Sequence, residues 1–111
     1  MKHELRLHDE PFELIKEGTK TIEMRLYDEK RKLIKENDII EFTNRITGEK
    51  IKTKVIKLHL FNNFKELYDN FDNESLGYKD SEIKDYKDME KYYTEEEQCK
   101  YGVVGIEIEL I

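Results

Sequence analysis

The apolar residues of this chain fall into short runs of two periods, and the period changes at glycines and turn residues. Residues 2 to 7 alternate, with Leu5 and Leu7 set against Lys2, Glu4 and Arg6, which predicts a strand with one covered face; His3 shares the inward parity. Asp9 can cap a brief helix that admits Pro11 in its first turn, buries Phe12 and Ile15 and stops at Gly18. Thr21 to Tyr27 alternates again, with Ile22, Met24 and Leu26 on one face and a wholly polar set, Thr21, Glu23, Arg25 and Tyr27, on the other.

Asp28 then predicts a second short helix over 29 to 35, with Leu33 and Ile34 packed inward. The segments 38 to 43 and 50 to 60 read as a hairpin about Thr47-Gly48. Phe64, Leu67, Tyr68 and Phe71 stand at i, i+3, i+4 and i+7, the stripe by which a helix joins a core. The polar stretch 72 to 82 reads as a loop, followed by a weak helix carrying Ile83, Tyr86 and Met89. Thr94 to Glu97 is a capping box for one more helix, Gly102 ends it, and Val104, Ile106, Ile108 and Leu110 form a last strand.

The expected order is β, α, β, α, β-hairpin, α, loop, α, β. It points to an α+β domain on a small mixed sheet, strongly curved or closed into a barrel, with short helices packed around it. No helix before residue 62 is long enough for regular crossovers, which argues against a doubly wound parallel sheet. With 111 residues, positions 1–111 are expected to form a single domain.

Charged residues reach 41%, yet 7 Tyr and 5 Phe at periodic positions argue for a folded domain over a disordered one. No apolar run approaches the roughly 20 residues that span a bilayer, and no apolar segment follows Lys2, so a soluble, cytoplasmic protein without a membrane partner is expected. Cys99 stands alone, which excludes an internal disulfide and a cysteine zinc site and suits a reducing compartment. Glu95, Glu96 and Glu97 oppose its thiolate.

The net charge of -6 conceals an asymmetry. Residues 1 to 57 carry 14 Lys+Arg against 12 Asp+Glu, and residues 58 to 111 carry 6 against 14. A nucleic acid would therefore meet mainly the first half. Overall acidity disfavours a non-specific duplex binder while leaving room for a cleft that holds one nucleotide.

Lys20, Glu23 and Arg25 concentrate the candidate chemistry. Glu23 and Arg25 share a strand face and Lys20 sits at the preceding turn, which supplies a base, an anion-binding fork and an ammonium. The same residues also read as a salt-bridge network on a solvated face, continued by Tyr27, Asp28 and Arg31. His3, His8 and His59 lack metal-ligand spacing, and the P-loop, dinucleotide, serine-hydrolase and zincin signatures are missing, so neither a metal nor a cofactor is expected. Tyr92-Tyr93 offers a ring for stacking on a base, or a plug between two helices.

The stretch Gly18-Thr19-Lys20-Thr21-Ile22-Glu23-Met24-Arg25, with Pro11-Phe12 before it and Asp28 to Arg31 and Asp38 to Phe42 after it, resembles an ASCH domain. Leu76-Gly77-Tyr78, Tyr92-Tyr93-Thr94 through Glu97, and Tyr101-Gly102-Val103-Val104 resemble the second half of compact bacterial and archaeal members. The resemblance implies a PUA-like β-barrel with a cleft that takes RNA or a nucleotide-like ligand. It implies Lys20, Glu23 and Arg25 at that cleft and Arg31 and Tyr93 near its rim. A branch of similar architecture removes the acetyl group from N(4)-acetylcytidine with a lysine, a threonine nucleophile and a glutamate. Lys20 matches that lysine, Glu23 stands where the branch has its threonine, and Glu74 is the nearest match to its glutamate. A carboxylate cannot form the same acyl ester; it would form a mixed anhydride or act as a base toward water.

Three expectations follow. The first is a module that binds RNA or a modified nucleoside. The second is an amidohydrolase on an acylated nucleoside, with Glu23 activating water and Lys20 stabilising the oxyanion. The third is an interaction domain whose acidic second half docks a basic partner.

Overall fold

The computed structural model describes all 111 residues. The strands are β1 (Lys2–Leu7), β2 (Ile22–Leu26), β3 (Ile39–Asn44), β4 (Lys50–Phe61) and β5 (Val103–Leu110). Between them lie the helices α1 (Asp9–Glu17), α2 (Phe64–Asp69), α3 (Asn73–Leu76) and α4 (Glu95–Tyr101), with 3-10 turns at Arg31–Leu33 and Tyr86–Lys91. All five strands form one sheet in the order β1-β3-β4-β5-β2. β1 runs parallel to β3, and every other pair is antiparallel. The α+β class and the curved mixed sheet expected from the pattern are what the structure shows.

The sheet curls until its edges meet. Arg25 Nη2 on β2 donates to the Arg6 carbonyl on β1 at 3.1 Å, so a side chain bridges the seam where a sixth strand would close a barrel.

Two cores flank the sheet. Leu5, Phe12, Ile40, Phe42, Val55, Val104 and Ile106 fill its concave interior. Ile22, Met24, Leu26, Phe64, Leu67, Leu76 and Val103 form an outer core beneath the helices. β5 serves both, which is why Val103 to Ile106 is buried without alternation. Register then fixes the faces of β2. Glu23 pairs with Ile106 and Arg25 with Val104, both residues of the interior core, so the polar face of β2 looks into the barrel mouth rather than into solvent. Its apolar face joins the outer core, with α3 and α4 packed against the strand.

Local departures from expectation have local causes. The helix expected over 29 to 35 is only the 3-10 turn, in which Asp28 accepts from the Arg31 N–H; Ile34 is buried but Leu33 is 61% exposed. The expected loop after residue 72 contains α3, because Asp72 accepts the Ser75 N–H at 2.9 Å and Gly77 closes the turn at φ 96°. α2 ends before Phe71, whose ring still packs on the outer core. The weak helix is the second 3-10 turn; it buries Met89, while Ile83 lies outside it in solvent. The capping box forms as expected, with Glu97 N–H donating to Thr94 Oγ1 at 3.1 Å and Thr94 N–H to Glu97 Oε1 at 3.0 Å.

Two histidines serve the fold. His59 pairs with Glu107 at 2.9 Å across β4 and β5. His3 bonds Asp38 at 2.8 Å and, with the Lys35 N–H and the N-terminal amine, holds that carboxyl down at about 2. No helix is long and apolar enough to cross a membrane.

Candidate functional site

The seam between β1 and β2 opens into a cleft of about 460 Å³. β1 supplies one wall through Arg6, Leu7 and His8, and β2 supplies the other through Glu23, Met24 and Arg25. Lys20 stands at the base of β2, Arg45 follows β3, and the second 3-10 turn brings Lys91, Tyr92 and Tyr93 over the top.

Glu23 is the hub. It is only 3% exposed, and its Oε2 accepts from Arg25 twice, from Nε at 3.2 Å and from Nη2 at 2.9 Å. Oε1 accepts the Met24 N–H at 3.2 Å and faces Lys20 Nζ at 3.4 Å. Burial pushes the carboxyl up, but Lys20 and Arg25 outweigh it and hold Glu23 below the usual carboxylate range, so it is an anion. Burial likewise works against the Arg25 cation, and Glu23 followed by the Tyr93 hydroxyl more than compensates. Tyr93 lines the cleft beside Arg25 while its ring stacks on Phe64, centroids 5.8 Å apart. Of the two roles open to the Tyr92-Tyr93 pair, Tyr93 takes the structural one, packed on Phe64 in the outer core.

Lys20 is placed from outside the strand. α3 packs against β2, and the Thr21 N–H donates to the Ser75 carbonyl at 3.1 Å. At Gly77 a Cβ would sit 3.1 Å from Lys20 Cδ, so the bare backbone of that turn leaves the channel along which the lysine stem reaches Glu23.

Five Lys and Arg side chains and one carboxylate line the cleft, a local balance of +4 in a chain of net charge -6. Glu23 engages Lys20 and Arg25. Arg6, Arg45 and Lys91 take part in no ion pair anywhere in the structure. The walls therefore carry cations already held in place and a mouth of unspent positive charge, an arrangement suited to a polyanion.

Of the residues singled out in the sequence, Lys20, Glu23, Arg25 and Tyr93 come together here. Arg31 does not reach the cleft, because Asp28 holds its Nη1 at 2.8 Å and turns the side chain into the local 3-10 turn. Glu74 is not brought in either; it lies exposed on α3, whose buried residue is Leu76. Sequence reading missed Arg6, His8, Arg45 and Lys91 as site residues. They are single positions in separate segments with no shared spacing, and only the curl of the sheet unites them.

A model of the ASCH domain matches residues 5–111. The crystal structure of the hypothetical protein PH0355 is similar at 42% identity and a TM-score of 0.83, covering 100% of both chains. The solution structure of protein PF0455 from Pyrococcus furiosus is similar at 39% identity and a TM-score of 0.73, covering 100% of this chain and 98% of that one. No curated protein matches the sequence. The family match over nearly the whole chain, two full-length structural relatives and a cleft beside Lys20 and the strand that carries Glu23 and Arg25 agree: this chain belongs to the ASCH domain family.

Proposed function

We propose that the cleft binds single-stranded RNA or a nucleotide-like ligand through its phosphates and a base. The observation that carries this reading is the trio Arg6, Arg45 and Lys91, without carboxylate partners at the mouth of an otherwise acidic molecule. Phosphate contacts of this kind supply most of the affinity of sequence-tolerant binding. A-form duplexes are recognised over wide surfaces, whereas a cleft of this size suits a splayed single strand.

The detailed arrangement favours binding over hydrolysis. A general base needs a free lone pair and a pKa near the working pH. Glu23 has its oxygens occupied by Arg25, the Met24 N–H and Lys20, and its carboxyl is shifted down, away from such a value. Its role in this reading is to hold Lys20 and Arg25 at a fixed separation for an incoming oxygen.

Titration of an end-labelled single-stranded oligonucleotide by fluorescence anisotropy over a range of salt tests the reading. Each lost phosphate contact reduces the slope of log K against log salt by about 0.7 for a single strand, so the Arg45→Ala, Lys91→Ala double variant should bind more weakly with a slope smaller by about 1.4. An unchanged slope and affinity would place the ligand elsewhere.

A further inference from the structure

Tyr92 alone of the seven tyrosines belongs to neither core. Tyr27 packs on the interior cluster, and Tyr68, Tyr78, Tyr86, Tyr93 and Tyr101 belong to the outer one. Tyr92 is instead 58% exposed, and its ring faces His8 at 6.2 Å between centroids with the planes tilted by 36°. The two rings come from opposite walls, His8 from the turn between β1 and α1 and Tyr92 from the segment after the second 3-10 turn. His8 stands at the N-cap of α1 but makes no side-chain capping bond, so its ring has no duty to the helix.

We infer that His8 and Tyr92 form a clamp that takes one nucleobase between their rings, next to the phosphate sites on Arg6 and Lys91. The inference rests on the proposed function and deepens it by naming where the base sits. Stacked rings lie roughly 3.4 Å apart, so a base between two others needs about 7 Å. The gap of 6.2 Å falls short by less than 1 Å, and both side chains are exposed and rotate on a picosecond to nanosecond scale. Bringing the rings parallel and slightly apart admits a planar base and nothing thicker. Tyr93 cannot do this, because Phe64 already covers its ring. Every base has a π face, so the clamp favours a base over none without selecting its sequence.

The test compares two end-labelled probes of equal phosphate number, a short oligoadenylate and its abasic counterpart, against the wild type, Tyr92→Ala, Tyr92→Phe and His8→Ala, with circular dichroism to check the fold. The wild type should prefer the oligoadenylate by roughly tenfold or more. Tyr92→Ala should abolish that preference, Tyr92→Phe should retain it, and His8→Ala should reduce it. A preference that survives Tyr92→Ala, a loss that is equal on both probes, or a wild type that binds both equally would overturn the clamp and leave the phosphate reading standing. A wild type that binds neither probe would overturn both.

Discussion

Glu49 meets Lys16 at 2.7 Å on the surface, whereas Glu23 meets Lys20 at 3.4 Å inside the barrel mouth. By distance alone the first pair is the stronger. Yet the Lys16 and Glu49 side chains are 46% and 40% exposed, so water and salt solvate both charges whether or not they touch. Lys20 and Glu23 are 8% and 4% exposed, and the Arg25 guanidinium closes on the same carboxylate. There each charge depends on the others, because so little of each is exposed that its partners replace most of the hydration it has lost. What an ion pair contributes is set by its surroundings before its length.

The largest expected effect follows from removing the hub. Glu23→Ala leaves Lys20 and Arg25 side by side with no anion between them and deprives the Met24 N–H of its acceptor. Breaking a buried pair in this way costs about 3 to 5 kcal/mol, and water in the cleft puts this case at the lower end. Urea unfolding should show it as a large drop in midpoint, with Glu23→Gln intermediate because it keeps one acceptor oxygen but no charge. A loss below about 1 kcal/mol would put Glu23 in the same class as Glu49 and erase the contrast.

The smaller, second effect tests how Lys20 is held. Gly77 lies at φ 96°, where a side chain costs about 1 to 2 kcal/mol, and the new Cβ would press on Lys20 Cδ. Gly77→Ala should therefore lower the urea midpoint less than Glu23→Ala does, and it should also weaken oligonucleotide binding by displacing the ammonium. Weaker stability with unchanged binding would mean that the turn shapes α3 alone.

The buried character of this cluster was only half legible in the sequence. Alternation from Thr21 to Tyr27 marks β2 and separates Glu23 and Arg25 from Ile22, Met24 and Leu26, but alternation says nothing about which face looks at water. The signal that resolves it lies at the other end of the chain. Val103, Val104 and Ile106 break the alternation of β5, which marks that stretch as covered on both faces, and β2 pairs directly beside it. Capping residues were legible because they act within four positions, as Thr94 and Glu97 do. Leu33 was misjudged, since a 3-10 turn has a different period from the helix assumed for it. Arg6, Arg45 and Lys91 are isolated in sequence, and no local rule brings positions so far apart to one cleft.

The smallest expected effect is the surface pair itself. The bond to Glu49 raises the Lys16 pKa, so the pair keeps its two charges to a higher pH than a free lysine would allow. Its formation still changes little, because in the unfolded chain both groups regain the water they share in the folded one. Lys16→Ala should leave the urea midpoint within error of the wild type at low and high salt alike, and should leave oligonucleotide binding unchanged, since Lys16 does not line the cleft. A salt-dependent loss approaching that of Glu23→Ala would show that α1 is pinned to the turn after β3 by charge. The packing of Phe12 and Ile15 would then no longer account for its position.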